Sequence, residues 1–111
     1  MRILYHYTSK ESYTAIIATK TLKPSLQADN PKDARYGDGQ YLSDILPGKK
    51  RPGQLSYMFL NIPYQGRRFT HYVGIDVAGL PVAKGREHVF VILNHNPLDI
   101  SKIMAGHGEN R

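Results

Sequence analysis

Residues 67 to 80 read "RRFTHYVGIDVAGL", and this stretch constrains the fold more than any other. Phe69, His71, Val73, Ile75 and Val77 fall on one face, and Thr70, Tyr72, Gly74 and Asp76 on the other. A period of two is the pattern of a β-strand with one face in a core. Such a strand cannot stand alone, so the chain must build a sheet around it. Partners are at hand: "RILYHYT" alternates Ile3, Tyr5 and Tyr7 against Arg2, Leu4 and His6, while "GQYLSDI" and "HVFVIL" read as further short strands. "LDISKIM" reads as a last short one, and the tail "AGHGENR" is expected to fray.

Two helices interrupt the strands. Thr8 and Glu11 have the spacing of a capping box, and Tyr13, Ile16 and Ile17 follow at helical intervals. This predicts a helix over roughly residues 9 to 20, which Pro24 keeps from continuing. A second helix is predicted to begin at Pro52 and to carry Leu55, Tyr57, Met58 and Phe59. Between them, residues 25 to 38 are polar and irregular, a long loop of the kind that often carries function. "LPGKKRPG" is a basic turn. The order of elements favours an α+β fold: a small, largely antiparallel split sheet with a few short helices.

With 111 residues, the chain is expected to form one domain spanning residues 1 to 111. A 41% hydrophobic share allows a modest core. The chain has no cysteine, which excludes disulfides, thiolate zinc sites and a thiol nucleophile. No apolar run approaches the roughly 20 residues of a membrane span. "MRILYHYT" is too short and polar for a signal peptide, so export is expected to need a larger parent protein or a separate route. The formal charge of +6 suits either a solvated basic surface or attraction to a polyanion, a nucleic acid or the pyrophosphate of a dinucleotide.

Some chemistry is missing. There is no Gly-x-Gly-x-x-Gly, no P-loop and no Ser elbow, and His71, His88, His95 and His107 lack His-Glu-x-x-His spacing, so no zinc site is expected. Three residues stand out instead. His6 sits on the strand face opposite Ile3, Tyr5 and Tyr7. Tyr41 follows a Gly-Asp-Gly turn whose glycines let the backbone bend and approach a ligand closely. Asp76 is an aspartate within a strongly patterned strand, against its propensity, and beside Gly74, where no bulky side chain is expected to cover it. The first two also have a plain structural reading: a lone strand histidine and a core tyrosine.

In this order, "LYHYTS", "YGDGQYLSDI" and "YVGIDVAGL" resemble the three segments of ADP-ribosyltransferase toxin domains with a His-Tyr-Asp signature, modules of bacterial polymorphic toxins. "GREHVFVI" and "PLDIS" extend the likeness along almost the whole chain. The resemblance implies an enzyme that uses NAD as substrate and breaks its nicotinamide–ribose bond. ADP-ribose then passes to a protein or nucleic-acid acceptor, or leaves free as in an NAD glycohydrolase. It implies catalytic roles for His6 on the ribose, Tyr41 stacked on nicotinamide, and Asp76 as the acid of the triad. It further implies that NAD is held by Tyr7 through its main chain, by Thr8 and Gly39, by Tyr57 as a second stacking wall, and by Arg35 (or Lys23) at the pyrophosphate. A toxin of this kind is secreted or delivered within a larger protein, acts in the target-cell cytoplasm, and is expected to have a cognate immunity protein. Asp44, Asp99 and Glu109 are the other carboxylates weighed for the acid role. Two different readings compete: a basic nucleic-acid-binding module, with aromatics among cations as in "GRRFTHY", and a small nuclease toxin with His6 as general base.

Overall fold

The computed structural model describes residues 2–29, 31, 34–60 and 68–110. Asn30, Lys32 and Asp33 of the long loop, and Arg67 of "GRRFTHY", lie outside the described residues. In chain order the elements are β1 (Ile3–Thr8), α1 (Lys10–Thr19), β2 (Thr21–Leu22), β3 (Gly39–Leu42), α2 (Pro52–Leu60), β4 (His71–Asp76), β5 (Val82–Arg86), β6 (Val89–Leu93), β7 (Leu98–Asp99) and β8 (Met104–Glu109).

The period-two stretch is the centre of its sheet. β4 pairs antiparallel with β1 on one edge and with β8 on the other, giving the order β1-β4-β8. A second three-stranded sheet has the order β3-β6-β5, again antiparallel. One bridge joins the two: Tyr5 and Ser43 exchange both backbone hydrogen bonds at 2.8 Å, and β1 and β3 pair no further. The fold is therefore α+β with a split antiparallel sheet and, among the described residues, two helices.

The main core lies where the two sheets and α1 meet, with Leu4, Val73, Ile75, Phe90 and Ile92 buried there. A second cluster of Tyr7, Ile45, Leu55 and Phe69 is capped by α2 through Phe59. Phe69, Val73, Ile75 and Val77 are buried, so the alternation seen in the sequence faces inward as expected.

Four local expectations change. The N-cap of α1 is Ser9, whose Oγ accepts from the Ser12 N–H at 3.3 Å. Thr8 instead ends β1 and is buried. β5 was not expected: "VAKGR" has only Val82 and Ala83 as apolar residues, and it is held as a strand by pairing with the fully apolar β6. "LDISKIM" yields only the two-residue β7, which pairs with β2. The tail does not fray. Residues 104 to 109 form β8, and Asn110 is 6% exposed. Its side chain donates to Lys50 O and Phe69 O and accepts from Gly48 N–H, while its own N–H donates to Thr70 O at 2.7 Å. Glycine-rich "MAGHGE" has weak strand propensity, and a strong neighbouring strand overrides it.

Candidate functional site

The site is built where the ladder between β1 and β3 stops. After the Tyr5–Ser43 bridge the next pair in register would be Tyr7 and Tyr41. Instead the His6 imidazole occupies the fork, with Nδ1 2.9 Å from the Tyr41 carbonyl oxygen. A carbonyl can only accept, so Nδ1 carries the proton and Nε2 keeps a lone pair. Burial lowers the His6 pKa from its ordinary value, partly offset by this hydrogen bond. His6 is thus a neutral ring of defined tautomer.

Strand hydrogen bonds alternate sides. Tyr5 points its backbone N–H and C=O at β3, so those of Tyr7 point the same way, into the fork where no β3 residue pairs with them. The Tyr7 hydroxyl donates to Ile45 O at 2.5 Å, and burial pushes its pKa up. Its ring packs tilted against Phe59, with centroids 6.1 Å apart.

Tyr41 is held at both ends. Its hydroxyl accepts from the Tyr36 N–H at 2.7 Å and donates to Gly37 O at 2.8 Å, so the turn that precedes it returns to clamp its ring. Burial raises its pKa. Gly39 makes that return possible by letting β6 come close: a Cβ there would sit 2.0 Å from Ile92 O. Gly39 also bridges to Ser25, which ties the long loop across the fork.

Around the fork lies a cavity of about 690 Å³, within the usual range for small-molecule sites. His6, Tyr7, Thr8, Tyr41, Ser43, Phe59 and Val89 line it, and α1 contributes Ser9, Ser12 and Ile16. Lys23, Arg35 and Arg68 line it as well, and no described lining residue is acidic. The surface therefore suits an anionic ligand with flat rings.

The structure thus brings His6, Tyr7, Thr8, Arg35 and Tyr41 together on one cavity, with Gly39 in the strand behind. It does not bring Tyr57 or Asp76 there. Tyr57 is 62% exposed on the outer side of α2, and Phe59, two residues and about 200° further round the helix, faces the cavity instead. Asp76, expected in the cleft, does not line this cavity. It pairs with Ile3 while His6 pairs with Val73, which puts it three residues, about 10 Å, along the sheet from the fork. Its carboxylate accepts from the Arg2 and Ala78 backbone N–H groups and ends the strand. Nor is Gly74 an open approach: a Cβ there would meet Ala105 O at 2.7 Å and the Tyr5 ring at 3.3 Å.

Two other carboxylates are close along the chain to lining residues, though neither lines the cavity itself. Asp44 follows the lining residue Ser43, and Glu87 stands two residues before the lining residue Val89. His88 links them, with Nδ1 2.7 Å from Asp44 Oδ1 and Nε2 3.5 Å from Glu87 Oε1. His88 has φ 65°, a left-handed conformation that suits the two-residue turn joining β5 to β6. In the sequence this turn reads "REH", three charged or titratable residues before the apolar "VFVIL". Asp99 and Glu109 lie on β7 and β8, and neither lines the cavity.

The family model described as HYD1 signature containing ADP-ribosyltransferase matches residues 4–103. The chain belongs to this family. No curated protein and no solved structure matches the chain. The HYD1-signature family is one of ADP-ribosyltransferase toxin domains, and its match runs from β1 through β7 and stops just before β8. None of the helices among the described residues is long and apolar enough to cross a membrane.

Proposed function

We propose that the cavity binds NAD and that the domain cleaves the bond between nicotinamide and ribose. The ADP-ribosyl group passes to an acceptor, or to water as in an NAD glycohydrolase. The observation that carries this reading is the fork itself: a neutral His6 whose Nδ1 is engaged, leaving Nε2 as an acceptor beside the clamped Tyr41 ring.

The residues divide the work by chemistry. Nε2 of His6 accepts a hydrogen bond from a ribose hydroxyl and fixes the sugar. The Tyr7 backbone groups in the fork suit a carboxamide, which needs one donor and one acceptor. The Tyr41 ring, with Phe59 nearby, stacks on the flat leaving group and excludes water. Lys23 and Arg35 offset the pyrophosphate charge. When the glycosidic bond breaks, nicotinamide leaves neutral with the bonding electrons and positive charge develops on the ribose. The acceptor's oxygen or nitrogen then bonds to the anomeric carbon and gives up its proton.

A carboxylate must face the developing charge. We assign this role to Glu87 rather than Asp76. Asp44 is held by His88 at 2.7 Å, whereas Glu87 meets the same ring only at 3.5 Å, and its 85% exposed side chain stands two residues before the lining residue Val89. The domain then acts as the catalytic part of a toxin delivered to a target cell, with an immunity protein expected to cover the fork.

Nicotinamide release from NAD by the purified domain tests this. Glu87→Gln and His6→Ala are each expected to lower turnover about a hundredfold or more with thermal unfolding little changed. Asp76→Asn is expected to keep it within a few-fold. Loss in Asp76→Asn with retention in Glu87→Gln would reverse the assignment of the acid. Release by none of the proteins, with no transfer of labelled ADP-ribose in a cell lysate, would refute NAD cleavage.

A further inference from the structure

Between Asp44 and Asp76 the chain has no carboxylate, and it carries five cations there: Lys49, Lys50, Arg51, Arg67 and Arg68. Three of them, Lys49, Lys50 and Arg51, stand together on the turn that enters α2, all exposed and without an ion pair among the described residues. The turn is held in shape. Lys49 N–H donates to Leu46 O at 3.2 Å, Arg51 N–H to Gln54 Oε1 at 2.9 Å, and the buried Asn110 grips Gly48 and Lys50 through their backbones. Exposed cations on a braced turn keep their spacing, so a ligand does not have to order the loop.

Beside this turn is a shallow groove of about 540 Å³, lined by Lys50, Arg51, Gln54, Tyr57 and Met58. Tyr57 leaves 62% of its surface to solvent. The core does not need it there, because Leu55 and Phe59 provide the inward side of α2. An exposed ring next to cations without an ion pair among the described residues matches a base stacked on the ring and phosphates on the cations. An acidic peptide without apolar side chains would use the cations but not the ring.

We infer that this face of α2 is a landing surface for single-stranded nucleic acid, and that such a strand is the acceptor class of the transferase. The acceptor part rests on the NAD-cleaving reading above; the binding surface does not. Phe59 of the same helix lines the NAD cavity, so a strand crossing α2 passes about one helix diameter from the fork.

The test is fluorescence anisotropy with a short labelled single-stranded RNA of mixed sequence and, separately, a labelled poly-glutamate peptide. The RNA is expected to bind, with affinity falling roughly twentyfold between 50 and 200 mM salt if three phosphates are engaged. The double variant Lys50→Glu, Arg51→Glu is expected to lose at least roughly tenfold of RNA affinity, and Tyr57→Ala at least roughly fivefold. Nicotinamide release by Lys50→Glu, Arg51→Glu is expected to stay at the wild-type rate, which also shows that this variant folds. RNA binding unchanged in both variants, or poly-glutamate binding as tight as RNA and indifferent to Tyr57→Ala, would overturn the inference. NAD turnover without RNA binding strikes this surface alone, and RNA binding without NAD turnover or transfer strikes the catalytic reading and the acceptor role but not the surface.

Discussion

The two edges of β1 are opposites. Toward β4, all six residues from Ile3 to Thr8 are in register with a partner. Toward β3, a single bridge at Tyr5 and Ser43 is all there is. The same six residues therefore serve as core on one side and as a wall of the cavity on the other. The closed edge satisfies the backbone and buries Leu4 against Val73 and Ile75. The open edge leaves backbone groups of Tyr7 and one nitrogen of His6 without a ladder partner, which is what a ligand needs. A site here requires the closed edge to be stiff enough to hold the other open.

That comparison can be broken most severely from the closed side. Gly74→Val is expected to cost about 2–3 kcal/mol, because its Cβ would meet Ala105 O and the Tyr5 ring within the β1-β4-β8 sheet. Thermal or urea unfolding reads this out, and a loss under about 0.5 kcal/mol would show that the bulge between Val73 and Ile75 can absorb the side chain. Asn110→Ala comes next at about 2 kcal/mol, since it removes three side-chain hydrogen bonds that tie the end of β8 to the basic turn and to Phe69. Amide hydrogen exchange should show faster opening at Gly48 and, if β8 depends on this anchor, along residues 104 to 109.

The open side should respond in function more than in stability. Tyr41→Phe keeps the ring but removes the hydroxyl that grips Tyr36 and Gly37. It is expected to raise KM for NAD severalfold, with a stability cost of about 1 kcal/mol. An unchanged KM would mean that packing alone orients the ring.

The pH dependence is the subtlest of these. His6 has a folded pKa below its unfolded value, with burial as the main cause. Between the two values the unfolded chain binds more protons than the native one, so stability falls as pH drops below about 6.5, by at most about 1.4 kcal/mol per unit. NAD turnover is expected to decline at acid pH as well, because protonation removes the Nε2 acceptor. His6→Gln should flatten the stability profile; an unaltered profile would place the acid sensitivity elsewhere.

Much of this was legible in the sequence where a pattern is local. The period of two in β1 and β4, the helical spacing in α1 and the Gly-Asp-Gly turn before Tyr41 each report on neighbours a few residues away. His6, Tyr7, Arg35 and Tyr41 were named on that basis and on the family likeness, and they share one cavity. Other features were not legible, for separate physical reasons. Tyr57 and Phe59 are both aromatic on one helix, and only packing decides which one faces inward. Asp76 was conspicuous because strands disfavour aspartate, but here it ends the strand by capping backbone N–H groups. "AGHGEN" has no strand signal of its own; it becomes β8 because β4 offers an edge and Asn110 finds three backbone partners on segments some 40 to 60 residues away.

The sequence by itself determined that this chain forms sheets around a strongly alternating strand, that it is basic, and that it carries the ordered segments of the HYD1-signature family. Tertiary structure alone decided that β1 and β3 part after one bridge, that His6 enters the gap as a neutral ring, and that His88 brings Asp44 and Glu87 together. The reason is range. Alternation and turn chemistry act through neighbours along the chain, while a fork between two sheets depends on contacts between strands that lie about 35 residues apart.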